Sequence, residues 1–106
     1  MKCAASGRAY TVFGYKGKQV RDNIHTRDVV DAIWHFIQKP RSAQIYNMGG
    51  SRFSNCSVLE AIAECERITN RPMNWSYKGE SRIGDHIWWV SDVRRFRAHY
   101  PEWRLK

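Results

Sequence analysis

The sequence has no hydrophobic stretch long enough to cross a membrane. Its 106 residues contain no run approaching ~18 apolar residues, and residues 1–20 lack the apolar core of a signal peptide. The mean hydropathy is −0.65, but 13% of the residues are aromatic, which is enough to bury a modest core. We therefore expect a soluble, cytoplasmic protein with a single globular domain over residues 1–106.

Cysteine and metal-binding motifs are also scarce. The three cysteines, Cys3, Cys56 and Cys65, are odd in number and form no CxxC pair, so neither a disulfide framework nor a zinc site is predicted. The four histidines are spaced too irregularly for a motif such as HExxH. We expect reduced, unreactive thiols and no metal.

Acidic residues are outnumbered, since 18 Lys and Arg face 10 Asp and Glu, for a net charge of +8. This balance favours an anionic partner: a nucleic acid, an anionic membrane or a phosphorylated metabolite. The basic residues are scattered from Lys2 to Lys106, and their densest group is Arg94, Arg95 and Arg97. A nucleic-acid-binding protein typically has a denser basic stripe, so nucleic acid is the less favoured partner.

The chain lacks the motifs that hold a dinucleotide cofactor. It has no GxGxxG after a strand, no P-loop and no Tyr-x-x-x-Lys pair, and the segment Gly14–Gly17 is too short to replace them. Its glycines are more typical of a turn. We expect no NAD or other cofactor to be held by this chain.

The pattern of apolar residues predicts a small α/β fold with a short mixed sheet and about three helices. The first two strands are expected to form a hairpin or to lie side by side. The predicted strands are Tyr10–Phe13, Gln19–His25, Gln44–Met48 and Met73–Tyr77.

Capping residues mark the three predicted helices. Thr26 is expected to cap the first, and Ser57 to Glu60 form a capping box at the start of the second. Asn70 is expected to end the second helix in the left-handed conformation, and Asp92 to cap the last one.

The segment Arg82–Asp92, RIGDHIWWVSD, has the chemistry of one wall of a nucleotide site. An arginine can bind a phosphate with two N–H groups, a carboxylate can accept from a sugar hydroxyl, and an indole can face a base. The alternative for Arg82 and Asp85 is a solvated turn around Gly84. Paired tryptophans such as those in this segment also serve as core or interface anchors.

Arg21 is the second candidate phosphate ligand. It lies on a predicted strand, from which its side chain can reach a cleft. The alternative is a surface ion pair with Asp22 or Asp28, and the residues alone favour that alternative.

Five strings, in order along nearly the whole chain, resemble the C-terminal part of NAD-dependent sugar-nucleotide epimerases and dehydratases of the extended short-chain dehydrogenase type. Among these, the CDP-paratose (CDP-tyvelose) 2-epimerases are the most similar. The strings are YTVFG from Tyr10, QVRDNIH from Gln19, IYNMGG from Ile45, SNCSVLE from Ser54 and RIGDHIWWVSD from Arg82.

The resemblance implies roles for five residues. Arg21 and Arg82 would contact the diphosphate of a CDP-sugar, and Asp85 would contact the ribose or orient Arg82. The strand around Thr11 and Phe13 would offer backbone groups to the base.

The resemblance also implies that the chain is a truncated enzyme. The Rossmann half, which holds NAD and the catalytic Tyr and Lys in the family, is roughly two-thirds of a typical member and is absent. We therefore expect no epimerase activity from the chain alone, and binding of a CDP-sugar at most. The alternatives are a half-site subunit completed by a separate Rossmann chain and an oligomeric interaction module. Apolar surface left by the missing half predicts a homo-oligomer.

Overall fold

Helices and short strands alternate along the chain in a computed structural model that describes residues 1–106. The helices are α1 (Lys2–Ser6), α2 (Thr26–Gln38), α3 (Val58–Thr69) and α4 (Arg94–His99). The strands are β1 (Tyr10–Phe13), β2 (Val20–Asp22), β3 (Asn55–Ser57), β4 (Trp75–Lys78) and β5 (Trp88–Trp89). The predicted α/β class is confirmed. The three predicted helices are present, and a fourth, the short α1, precedes them.

The strands form two small sheets, and the predicted hairpin is wrong. β1 pairs in parallel with β4, from Tyr10 opposite Trp75 to Phe13 opposite Lys78. β2 lies between β3 and β5 and runs parallel to β5. Between β1 and β2 the chain makes a 3-10 turn, and Gly14 and Gly17 have positive φ angles of 59° and 72°. This turn redirects the chain, so each strand pairs with a distant segment.

Two compact units divide the chain. The first unit comprises residues 1–21 and 56–89, and the second comprises residues 22–55 and 90–106. No helix is long and apolar enough to span a membrane. The single domain expected from the sequence stays a prediction.

The core of the second unit is aromatic. Trp103 is 0% exposed and Tyr100 and Phe96 are almost as deeply buried, all three beside Ala32 of α2. The Trp103 Nε1–H donates to the carbonyl oxygen of Asp28 at 3.0 Å, so the indole is both packed and hydrogen-bonded. Aromatic rings with a satisfied polar group give a small unit most of its apolar burial.

The ends of the helices match the prediction in part. The Ser57–Glu60 capping box is confirmed, with Ser57 N to Glu60 Oε2 at 2.7 Å and Glu60 N to Ser57 Oγ at 3.2 Å. Asn70 ends α3 with φ 50°, as predicted. For α2, the cap is His25 rather than Thr26, since the imidazole Nδ1 accepts from Arg27 N at 3.2 Å.

The start of α4 differs by one residue. Its backbone cap is Val93, while the carboxylate of Asp92 accepts from the amide of Arg94 at 3.0 Å. The Asp92 side chain therefore caps α4 as predicted, although it lies one residue before the N-cap position.

The strand predicted at Gln44–Met48 is wrong. These residues form no strand, although Tyr46 and Met48 pack against the core of the second unit and Ile45 is 80% exposed. The side chains alternate as in a strand, but alternation alone does not supply a hydrogen-bonded neighbour. Conversely, β3 and β5 are too short to give a periodic signal.

An apolar stripe on α2 faces solvent. Its four members are more than half exposed and follow a spacing of three, one and three residues, which places them on one side of a helix. They are Val30, Ile33, Trp34 and Ile37. This side of α2 is therefore apolar and uncovered.

Candidate functional site

Four of the five residues predicted to bind a ligand line one cleft in the first unit. The cleft has a volume of about 140 Å³ and is lined by Thr11, Phe13, Arg82 and Asp85, among others. β1 contributes the first two, and the loop before β5 contributes the other two. The structure therefore brings together residues that are about 70 positions apart in the sequence.

Arg21, the fifth residue, does not line the cleft, but it forms an ion pair with Asp85, which does. Its Nη2 lies 2.5 Å from Asp85 Oδ1, and its Nη1 donates to the carbonyl oxygen of Val20 at 2.8 Å. The two charged side chains are 33% and 24% exposed, so water has only limited access to the pair. Asp22 and Asp28, the alternative partners proposed from the sequence, do not bind Arg21. Asp85 thus orients Arg21, whereas the resemblance implies that it contacts the ribose or orients Arg82.

Arg82 and Asp85 stand at the two ends of a tight turn. The amide of Asp85 donates to the carbonyl oxygen of Arg82 at 3.1 Å, and Gly84 has φ 79°. Glycine suits this turn because a positive φ at the third position strains other residues. Ile83 is fully exposed, while both ends of the turn line the cleft. The turn around Gly84, which was the alternative to a ligand site at Arg82 and Asp85, is therefore present and also places both side chains in the cleft.

The guanidinium of Arg82 lies over an aromatic ring. Its Cζ is 4.6 Å from the centre of the Phe13 ring, which is a favourable distance for a cation–π contact. This contact uses the face of the guanidinium and leaves its N–H groups at the edge available to an anion.

Gln19 is a cleft residue that the sequence did not reveal. Its Nε2 donates to the carbonyl oxygen of Phe13 at 2.8 Å, and the side chain is among the few buried polar groups. Its Oε1 is buried without a hydrogen-bond partner. The only sequence signal for its role is a polar residue directly before β2, the strand that contains Arg21. Gln19 fixes the end of β1, where Phe13 meets Arg82.

Asp22 has a structural role in the second unit. Its Oδ2 accepts from the amides of Ser91 and Ser51 at 2.9 and 3.0 Å. Burial alone would raise the pKa of Asp22, but these hydrogen bonds favour the carboxylate, and the net shift is downward. A Cβ atom at Gly49 would lie 2.2 Å from Oδ2 and 2.4 Å from the Ser91 Oγ, so any larger residue would displace these hydrogen-bonding groups.

The tandem tryptophans are not core residues. Trp88 and Trp89 on β5 are 66% and 53% exposed, and the Trp89 ring lies 4.8 Å from that of His86. Of the roles weighed from the sequence, burial in the core is wrong.

Comparison with known proteins gives a matching family for part of the chain. Residues 1–49 match the NAD dependent epimerase/dehydratase family. The protein named "Putative UDP-arabinose 4-epimerase 2" of Arabidopsis thaliana is 34% identical over 92 residues, which is 85% of this chain and 21% of that protein.

Solved structures of sugar-nucleotide enzymes have the same fold over 99% of the chain. MoeE5 in complex with UDP-glucuronic acid and NAD has a TM-score of 0.81 at 25% identity, with 35% of its chain covered. The UDP-glucuronic acid 4-epimerase of Bacillus cereus has a TM-score of 0.84 at 18% identity, with 32% covered. The UDP-glucose 4-epimerase of Bifidobacterium longum, solved with NAD+ and UDP, has a TM-score of 0.82 at 24% identity, also with 32% covered.

The chain thus spans about a fifth of the curated relative and about a third of each solved structure. The expected resemblance to sugar-nucleotide epimerases is confirmed for the fold, while the narrower likeness to CDP-paratose 2-epimerases is not shown. Residues 1–49 match the NAD dependent epimerase/dehydratase family, and the whole chain has the fold of one third of such an enzyme.

Proposed function

We propose that this chain is the substrate-binding part of an NAD-dependent sugar-nucleotide epimerase or dehydratase, and that its cleft binds a nucleoside diphosphate. The main support is the convergence of Thr11, Phe13, Arg82 and Asp85 on one cleft, with Arg21 held by Asp85. The cleft combines an aromatic ring, the Arg82 guanidinium and a carboxylate, and a second guanidinium, that of Arg21, lies against the carboxylate; these groups match the parts of such a ligand.

The diphosphate binds between Arg82 and Arg21. Arg82 approaches it with its free edge while the Phe13 ring supports the face of the guanidinium. Arg21 exchanges its contact with Asp85 for a phosphate oxygen, since both are anionic acceptors for the same N–H group. This exchange leaves Asp85 free to accept hydrogen bonds from the ribose hydroxyls.

The base lies along β1. β1 is hydrogen-bonded to a single neighbour, β4, so its other edge has backbone groups that can recognise a base. The bond from Gln19 to the Phe13 carbonyl keeps this end of the strand in place. Cytosine is the base implied by the sequence resemblance, while MoeE5 and the Bifidobacterium longum epimerase were solved with uridine nucleotides.

The residues present do not fit NAD. The glycines Gly14 and Gly17 flank a 3-10 turn that leads into β2, whereas a dinucleotide site needs a glycine-rich turn from a strand into a helix. Hydride transfer therefore requires the NAD-binding part of the fold, and the 106 residues alone are proposed to bind substrate without turning it over.

The exposed stripe on α2 supports a second possibility, a half-site subunit completed by a separate Rossmann chain. Val30, Ile33, Trp34 and Ile37 form a surface suited to another apolar element. In the absence of such a chain, the same stripe would drive self-association, which is the proposed origin of a homo-oligomer. Sedimentation of the wild type and of Trp34→Glu tests this self-association. The wild type should sediment as an oligomer and Trp34→Glu as a monomer, because the introduced charge would prevent the stripe from packing against a second copy.

Calorimetric titration tests the proposed function. CDP, UDP, CDP-glucose and NAD are titrated into the wild type, into Arg82→Ala and into Arg21→Ala. We expect the pyrimidine diphosphates to bind, each variant to weaken them at least tenfold, and NAD to give no heat. Arg71→Ala, which removes an arginine outside the cleft, is the matched control and should bind as the wild type does.

The proposal would be overturned if millimolar CDP and UDP gave no binding heat, or if Arg71→Ala weakened binding as much as Arg82→Ala. The ratio of the CDP and UDP affinities decides the base.

A further inference from the structure

A second cavity of the first unit contains most of the protein's sulfur. The cavity has a volume of about 330 Å³ and is lined by two cysteines and two methionines. These are Cys3 on α1, Cys65 on α3, Met73 before β4 and the N-terminal Met1. The protein has only three residues of each type, so their gathering at one place is a specific feature of the fold.

Two of the sulfur atoms are already close. The Cys65 Sγ lies 3.3 Å from the Met1 Sδ. Two sulfur ligands of one tetrahedral metal ion, each at about 2.3 Å from it, lie roughly 3.8 Å apart. A metal ion therefore needs this pair to open by about half an ångström, which flexible methionine and cysteine side chains allow.

The chemistry of the cavity selects for a soft ion. Apart from Lys2 and the Tyr10 side chain, the remaining lining is aliphatic, with no carboxylate or imidazole. No group of three or more His, Cys, Asp or Glu occurs that would suit zinc or calcium. Thiolate and thioether ligands in an apolar setting favour Cu(I) over the harder divalent ions.

We propose that this cavity is a Cu(I) site formed by the thiolates of Cys3 and Cys65 with thioether ligands from Met1 and Met73. Binding releases the two thiol protons to solvent, and copper stays in the +1 state. The two thiolates and Cu(I) together have one negative charge, and the ammonium of Lys2 at the cavity offsets it. The site shares the lining residues Tyr10 and Val58 with the cleft that contains Arg82, but none of its sulfur ligands lines that cleft, and it does not depend on the proposed nucleotide function.

The test is an anaerobic competition for Cu(I) between the reduced protein and bathocuproine disulfonate. The wild type should withdraw one equivalent of Cu(I), and X-ray absorption should show a first shell of sulfur only. Cys65→Ser and Cys3→Ser should each weaken binding at least tenfold, and Met73→Leu should have a smaller effect.

Two substitutions elsewhere are matched controls. Cys56→Ser removes the third cysteine and Met48→Leu removes the remaining methionine, and neither residue lines the cavity. Both should bind Cu(I) as the wild type does, and far-UV circular dichroism should show that every variant is folded. The proposal fails if the wild type leaves Cu(I) with the chelator. It fails equally if Cys56→Ser weakens binding as much as both Cys65→Ser and Cys3→Ser do.

Discussion

The two compact units differ in whether they bury aromatic side chains. In the second unit Phe96, Tyr100 and Trp103 are each less than 5% exposed, and the Phe96 and Trp103 rings pack edge to face. In the first unit Trp88 and Trp89 are more than half exposed. Three aromatic rings thus form the buried core of the second unit, although Trp34 of that unit is exposed, whereas no aromatic side chain of the first unit is buried.

The residues of the buried aromatic core and the residues of the candidate cleft therefore belong to different units. The candidate cleft uses residues of the first unit alone, Thr11 to Arg21 and Arg82 to Asp85. The buried core cluster belongs to the second unit. Substitutions in the second unit should therefore lower the free energy of unfolding, while substitutions in the cleft should mainly lower ligand affinity.

The strongest test of this contrast is Trp103→Ala. Removing a fully buried indole, together with its hydrogen bond to Asp28, should lower the free energy of unfolding by about 3–5 kcal/mol. The exposed Trp88→Ala should lower it by no more than about 0.5 kcal/mol. Urea denaturation followed by circular dichroism measures both, and equal losses would remove the distinction between the units.

A smaller loss is expected for Asp22→Ala. The amides of Ser91 and Ser51 lose their shared acceptor, which should cost about 2 kcal/mol because water replaces it only in part. Glu102→Ala on the surface of the same unit is the control and should change stability little. If the two variants unfold at the same urea concentration, Asp22 is not the structural residue that its contacts indicate.

The same carboxylate predicts a pH dependence. Its hydrogen bonds lower the pKa of Asp22 in the folded state although burial opposes them. The stabilisation is therefore complete above the unfolded pKa of about 3.9 and is lost as the pH falls through the folded value. Urea midpoints between pH 7 and pH 2 should fall less steeply for Asp22→Asn than for the wild type, and parallel curves would contradict this assignment.

The smallest effect is expected at the start of α3 in the first unit. Ser57→Ala removes the hydroxyl that accepts from Glu60 N and should cost about 1 kcal/mol. Ser57→Asp restores an acceptor and should recover most of that loss. Thermal melts of the three proteins measure the difference, and a melt of Ser57→Ala equal to the wild type would show that the capping box adds nothing to stability.

Local chemistry made several elements predictable from the sequence. The capping box at Ser57 and the left-handed Asn70 both depend on neighbouring residues. The candidate cleft was predictable only through residue types that suit a nucleotide, because no local rule places Arg21 beside Asp85.

Long-range pairing explains what the sequence left out. Gln44–Met48 alternates like a strand but has no pairing partner, while the short β5 is a strand because β2 lies beside it. Gln19 likewise became a cleft residue through its hydrogen bond to Phe13, six positions away across a turn. Hydrogen bonds between segments that are not neighbours in the same element decide these cases, and periodicity does not report them.

Nucleotide binding in the cleft is tested most directly by an amide chemical-shift titration of the ¹⁵N-labelled protein with CDP and UDP. We expect shifts confined to the cleft and its neighbours, at Thr11 to Phe13, Gln19 to Arg21 and Arg82 to Asp85. These shifts should be lost in Arg82→Ala. Shifts that are absent at millimolar nucleotide, or that cluster instead on α4 of the second unit, would contradict binding in the cleft.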